Sequence, residues 1–128
     1  MSLVSIILPY YKKKKFIKKS IESILSQSYK KFELIIIYDD EDHEDLKFIK
    51  KLIKKDKRIK FIINNKNIGA GLSRNKGIKF SKGNYICFID ADDKWKNNKL
   101  EKQIQFMKAN NYLISHTSYK IINEKNNV

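Results

Sequence analysis

The sequence predicts an α/β protein built on a mainly parallel sheet, and three observations carry that prediction. Short apolar runs alternate with amphipathic stretches along the chain. The runs are nearly continuous, as strands buried on both faces require. Several end in aromatic or acidic residues, namely Pro9-Tyr10-Tyr11, Asp39-Asp40 and Asp90-Ala91-Asp92-Asp93, and ligands of parallel sheets gather at the carboxyl ends of strands.

The elements follow in order. Residues 3–8 read as a buried strand ended by Pro9, which has no N–H to offer a ladder. Ile17, Ile21, Ile24 and Leu25 recur at helical spacing, which predicts a helix over 14–27 with its lysines outward. Residues 32–37 form a second buried strand, Leu46, Ile49 and Ile53 mark a second helix, and 58–63 is a third strand. The turn Asn67-Ile68-Gly69-Ala70-Gly71, whose Asn and Gly tolerate positive φ, leads into a helix over 71–81. Gly83 resets the chain for a strand over 84–89, expected to be buried on both faces. Leu100, Ile104 and Met107 then form a helical stripe, with Asn98 and Glu101 at the spacing of a capping box. Residues 112–117 are expected as a last strand and 123–128 as a frayed tail.

A length of 128 residues fits one domain with a real core. The formal charge of +14 first suggests a nucleic acid or an anionic membrane as partner. Only Arg58 and Arg74 are arginines, however, and the chain is rich in Ile and Asn, as well as Lys, throughout. This is the mark of a general composition bias and of solvated lysine faces, so no nucleic-acid partner is expected. Cys87, the single cysteine, falls inside a predicted strand and reads as a core residue, and its solitude excludes a disulfide or a zinc cluster within one chain. No apolar run approaches the roughly 18 residues that span a bilayer, and no signal peptide is visible. The expected location is cytoplasmic, with the lysines compatible with a peripheral contact at the inner membrane face.

Asp90, Asp92 and Asp93 crowd the end of the 84–89 strand. Neighbouring carboxylates repel, and a divalent cation bound through hard oxygen ligands relieves them while also able to hold the phosphates of a nucleotide. Other phosphate and metal patterns fail. Position 74 is Arg where G-x-G-x-x-G needs its third glycine, and there is no Gly-Lys-Ser/Thr P-loop. Lys94 stands where D-x-D-x-T needs Thr, and Asp45 takes the glycine position of a calcium loop begun at Asp40. His43 and His116 lack ligand spacing and are expected in a loop and in a strand or core, respectively. Trp95 is expected to pack beside the acidic loop, with sugar stacking as the alternative.

Seven pieces in order carry a resemblance: Val4-Ser5-Ile6-Ile7-Leu8-Pro9-Tyr10-Tyr11, Ser23-Ile24-Leu25-Ser26-Gln27-Ser28-Tyr29, Phe32-Glu33-Leu34-Ile35-Ile36-Ile37, Asp39 with Asn67-Ile68-Gly69, Arg74-Asn75-Lys76-Gly77-Ile78, Gly83-Asn84-Tyr85-Ile86 and Asp90-Ala91-Asp92-Asp93. Together they resemble the N-terminal, nucleotide-sugar-binding portion of a family 2 inverting glycosyltransferase of the Rossmann-like GT-A fold. The resemblance implies a D-x-D motif at Asp90-Ala91-Asp92 that holds Mn²⁺ or Mg²⁺ against the donor diphosphate. Asp92 would be the direct metal ligand and Asp90 would lie near the ribose or a water on the metal. Asp93 is either an outer partner of the metal or a cap for the segment that follows. Asp39 falls on the aspartate that takes the nucleobase N–H, Tyr11 on the residue beside the base, and Pro9 and Tyr10 shape that wall through their backbone. Arg74 either faces the diphosphate or pairs with the acidic strand ends. The family has D-D-G-S after its second strand, whereas this chain has Tyr38-Asp39-Asp40-Glu41, so the glycine has become Asp40.

The resemblance further implies a nucleotide-sugar donor, a UDP-sugar in first place, for surface glycan synthesis (lipooligosaccharide, capsule or glycoprotein). It leaves the glycan or lipid-linked acceptor and the oligomeric state unassigned. The family's general base lies well downstream of D-x-D. The later carboxylates are Glu101, read as a helix cap, and Glu124, read as a tail residue, so the expectation is a single donor-binding domain over 1–128. Its acceptor-binding half would be absent and its transfer activity lost. The alternative is a non-catalytic nucleotide-binding or assembly module.

Overall fold

The computed structural model describes residues 1–123 and 125. The chain runs β1 (Val4–Tyr10), α1 (Lys14–Leu25), β2 (Phe32–Tyr38), α2 (His43–Ile53), β3 (Ile59–Ile63), α3 (Ala70–Phe80), β4 (Tyr85–Phe88) and α4 (Lys99–Asn110). The four strands form one parallel sheet in the order β3-β2-β1-β4. From β1 the chain builds outward through β2 to β3, then returns to add β4 on the other side. The carboxyl end of β1 is therefore where the strand order reverses, the place where open α/β sheets leave a crevice.

β1 and β2 are buried at every position. Their even-numbered residues Ile6, Leu8, Tyr10, Leu34, Ile36 and Tyr38 share a core with Ile17, Ile21 and Ile24 of α1, Ile49 of α2, and Leu100 and Ile104 of α4. Their odd-numbered residues face α3. That helix seats closely because Gly77 has no side chain, and a Cβ there would lie 2.5 Å from Cγ2 of Ile7.

Pro9 lies inside β1 and does not end it. Ile89 N donates to Ile7 O on the β4 side, so Pro9, two residues on, turns its nitrogen to the same side. β4 has already finished there, and the missing N–H costs nothing. The strand expected over 84–89 is an edge strand covered on one face only, with Ile86 and Phe88 on its exposed face. A continuous apolar run did not distinguish a central strand from an edge. The strand expected over 112–117 does not form: that segment is irregular, and Leu113, Ile114 and His116 are exposed. His116 is thus neither in a strand nor in the core. The expected capping box is also absent, because the Asn98 side chain makes no cap bond and Glu101 accepts from Ser28 Oγ at 2.9 Å. Gln27 serves that helix end, its Oε1 accepting from Leu100 N at 3.0 Å. Of the tail expected over 123–128, only Asn123 and Lys125 are among the described residues, and Glu124 lies outside them.

Candidate functional site

All eight residues singled out from the sequence, Pro9, Tyr10, Tyr11, Asp39, Arg74, Asp90, Ala91 and Asp92, line one open cleft of about 460 Å³. It lies at the carboxyl edge of the sheet, between the ends of β1 and β4. Lys13, Asn67, Gly69 and Ala70 complete its wall. Tyr10 contributes backbone, since its ring is fully buried, stacks on Tyr38 at 5.4 Å and donates its O–H to Asp45 Oδ2 at 2.6 Å. Burial, then the bond to Asp45, holds the Tyr10 phenol well above its ordinary range, and burial with the nearby Asp40 pushes Tyr38 up to about 12. Tyr11, the next residue, is half exposed and lines the cleft.

Asp39 is buried at the base of the cleft. Its Oδ1 accepts from Asn64 Nδ2 at 2.9 Å and Ile68 N at 2.7 Å, and its Oδ2 from Asn67 Nδ2 at 3.0 Å and Gly69 N at 2.9 Å. Four donors fill the acceptor capacity of a carboxylate. Two of them are backbone N–H groups at the start of α3, where a helix has donors without intrahelical partners. Gly69, the N-cap residue, has φ +93°, which suits glycine, while Asn67 sets the turn through its side chain. Lys76 Nζ donates to Asn64 Oδ1 at 2.7 Å behind this network.

The acidic end of β4 is a tight turn in which Asp93 N donates to Asp90 O at 3.0 Å. Carboxylate oxygens of Asp90, Asp92 and Asp93 lie within 4.8 Å of one another, all three residues exposed and the first two lining the cleft. Burial, then the charges of Asp92 and Asp90, pushes the Asp93 carboxyl up. Side-chain cations meet the other two: Arg74 Nη2 stands 2.8 Å from Asp90 Oδ1, and Lys13 Nζ 3.3 Å from Asp92 Oδ2. A hard divalent ion suits this all-oxygen set, so the residues fit the cation that the sequence implies. Trp95 packs against the core beside this turn, with Lys99 Nζ 4.2 Å from its ring centre. Cys87 is a free thiol that burial pushes up to about 12, which leaves it without nucleophilic character.

Sequence reasoning missed the support beneath the acidic turn. Ser20 and Ser23, on the otherwise apolar inner side of α1, and Gln27 just past its end form a polar stripe. Ser20 Oγ donates to the carbonyls of Ala91 and Asp93, Trp95 N donates to Ser23 Oγ at 3.2 Å, and Gln27 Nε2 donates to Lys96 O at 2.7 Å. The signal was present in the spacing: polar residues at i, i+3 and i+7 share the helix face of Ile17, Ile21 and Ile24. Lys13 was also missed, hidden in a run of four lysines.

The profile described as Glycosyl transferase family 2 matches residues 5–128. An uncharacterized glycosyltransferase of Rickettsia bellii is 47% identical over 122 residues, covering 95% of this chain and 17% of that protein. The UDP-Glc:alpha-D-GlcNAc-diphosphoundecaprenol beta-1,3-glucosyltransferase WfgD of Escherichia coli is 42% identical over 121 residues, covering 94% of this chain and 47% of its own length. Among solved structures, S. aureus TarS 1-349 in complex with UDP-GlcNAc superposes with a TM-score of 0.75 at 25% identity, covering 83% of this chain and 31% of that one. The chain thus spans about half or less of the length of the proteins it matches.

Proposed function

Because the chain belongs to glycosyl transferase family 2, we propose that it is the donor-binding part of an inverting glycosyltransferase and takes a nucleotide-diphospho-sugar, a UDP-sugar first, in the cleft at the β1 and β4 ends. The observation that carries this reading is the convergence of Tyr11, Asp39, Arg74, Asp90 and Asp92 on that one cleft. The UDP-GlcNAc in the TarS structure and the UDP-glucose in the name of the E. coli relative support a uridine donor.

The roles follow from position. Tyr11 offers an aromatic face to the nucleobase, where stacking suits any planar ring. Asp39 stands below as a fixed negative pole toward an imide N–H. Its own four bonds hold the start of α3, and thereby Arg74 one turn on, in place. Asp92 and Asp90, with Asp93 beside them, would hold Mn²⁺ or Mg²⁺. Such an ion supplies charge neutralisation to a departing nucleoside diphosphate. Arg74 and Lys13 are placed to turn from their carboxylates to the diphosphate.

The acceptor in this proposal is a lipid-linked or surface glycan of a bacterial cell, and transfer to it is assigned to the full-length protein. Calorimetric titration of the 128-residue chain with UDP tests the site. Binding is expected with Mn²⁺ present and at least tenfold weaker in EDTA, roughly the loss of one charge-assisted contact. A folded sample that ignores UDP in both conditions overturns the assignment.

A further inference from the structure

We propose that Asp40, which stands where the resembled family has glycine, is a positioning residue that sets the β1–α1 loop for the nucleoside end of the donor. Its carboxylate, 7% exposed, joins two loops. Oδ1 accepts from the backbone N–H groups of Glu41 at 2.7 Å and Asp42 at 3.2 Å, which folds the β2–α2 loop around it. Oδ2 reaches across to the backbone N–H of Lys12 at 2.9 Å.

Lys12 is the residue that most needs such a tie. Its φ is +49°, a left-handed conformation that a lysine adopts at a cost and keeps only when its surroundings hold it there. It stands between two residues of the cleft wall, Tyr11 and Lys13. With Lys12 in this conformation, Tyr11 faces the cleft and Lys13 becomes the N-cap residue of α1, with its ammonium on Asp92. The Lys12 ammonium also lies 5.1 Å from the centre of the Tyr11 ring. One carboxylate thus fixes the bend that presents the aromatic wall, without touching the ligand.

This rests on the cleft being a nucleotide site, and the test separates the two. The dissociation constants of UDP and of inorganic pyrophosphate, each with Mn²⁺, are measured for the wild-type chain, Asp40→Ala and Asp40→Asn. Backbone amide exchange at Lys12 is followed in the same three proteins without ligand. Asp40→Ala is expected to weaken UDP about tenfold, the scale of one hydrogen bond to a charged group, and to leave pyrophosphate within about twofold. Asp40→Asn keeps one oxygen for Lys12 N–H but turns its amide toward the Glu41 and Asp42 N–H groups, so it should recover only part of the UDP affinity. Exchange at Lys12 should accelerate most in Asp40→Ala and less in Asp40→Asn. Asp40→Ala binding UDP as tightly as wild type overturns the inference, as does an equal loss for UDP and pyrophosphate, or unchanged exchange at Lys12. A wild-type chain that binds no UDP overturns the nucleotide reading instead, and the exchange experiment still decides whether Asp40 holds the loop.

Discussion

Asp39 does two things that pull against each other in a mutational experiment. It organises a buried turn, and it lies at the base of the proposed nucleotide cleft. Asp39→Ala strands two side-chain amides and two backbone N–H groups that it now satisfies. The expected loss is about 3 kcal/mol, several times that of an average hydrogen bond, because four bonds to a buried carboxylate are lost together. Asp39→Asn keeps one oxygen but turns an amide toward donors, and should cost about 1–3 kcal/mol. Urea denaturation of both variants checks the order. The neighbouring departures from the family pattern were legible as departures, but their meaning was not. Sequence alone could not reveal that Tyr38 turns into the core to stack on Tyr10, or that Asp40 turns away from the cleft to hold Lys12. Alternation along a strand places Tyr38 and Asp39 on opposite faces, so which aspartate lines the cleft was readable. The loop beyond has no such period.

At the scale of elements, the two helices given bounds from the sequence, 14–27 and 71–81, fell within two residues of α1 and α3 at either end. The failures share one cause: they depended on neighbours distant in sequence. Pro9 is tolerated because β4 stops short, the start of α4 is served by Gln27 just past α1, and β4 is exposed on one face because it has no strand or helix there. The close seating of α3 gives a test with an internal control. Gly77→Ala drives a methyl into Ile7, and overpacking outweighs the gain in helix propensity for a net loss of about 1–2 kcal/mol. Gly71, in the same helix, has nothing within 4 Å of a Cβ, so Gly71→Ala should stabilise by up to about 1 kcal/mol. Opposite shifts in the urea midpoints of the two variants are the expected result.

For the whole molecule, pH acts through carboxylates at both edges of the sheet. At the amino edge Glu33 is buried, which alone would push its carboxyl up. The Lys60 ammonium at 2.6 Å, Lys82 N–H and Ser5 O–H outweigh that and hold it below its ordinary range. A native value below the unfolded one stabilises the fold above the ordinary glutamate range, near 4.3. That contribution drains away as pH falls further, through the lowered native value. Wild type should therefore lose stability toward acid more steeply than Glu33→Gln, read as urea midpoints across the acid range. The parallel α/β class and the position of its cleft were legible because they follow from periodicity and from what stands at strand ends.

The two ion pairs in the cleft have a consequence for how fast it exchanges its occupants. Lys13 with Asp92 and Arg74 with Asp90 lie in water, where such contacts are worth less than about 1 kcal/mol and side chains change rotamer within nanoseconds. They hold repelling carboxylates together as placeholders, yet neither bars the way. If the proposed function holds, a donor arriving with its cation would meet two carboxylates that already carry a partner charge. Exchange of the cleft's occupants would then proceed as a swap of partners by two exposed side chains, from aspartate to phosphate and back.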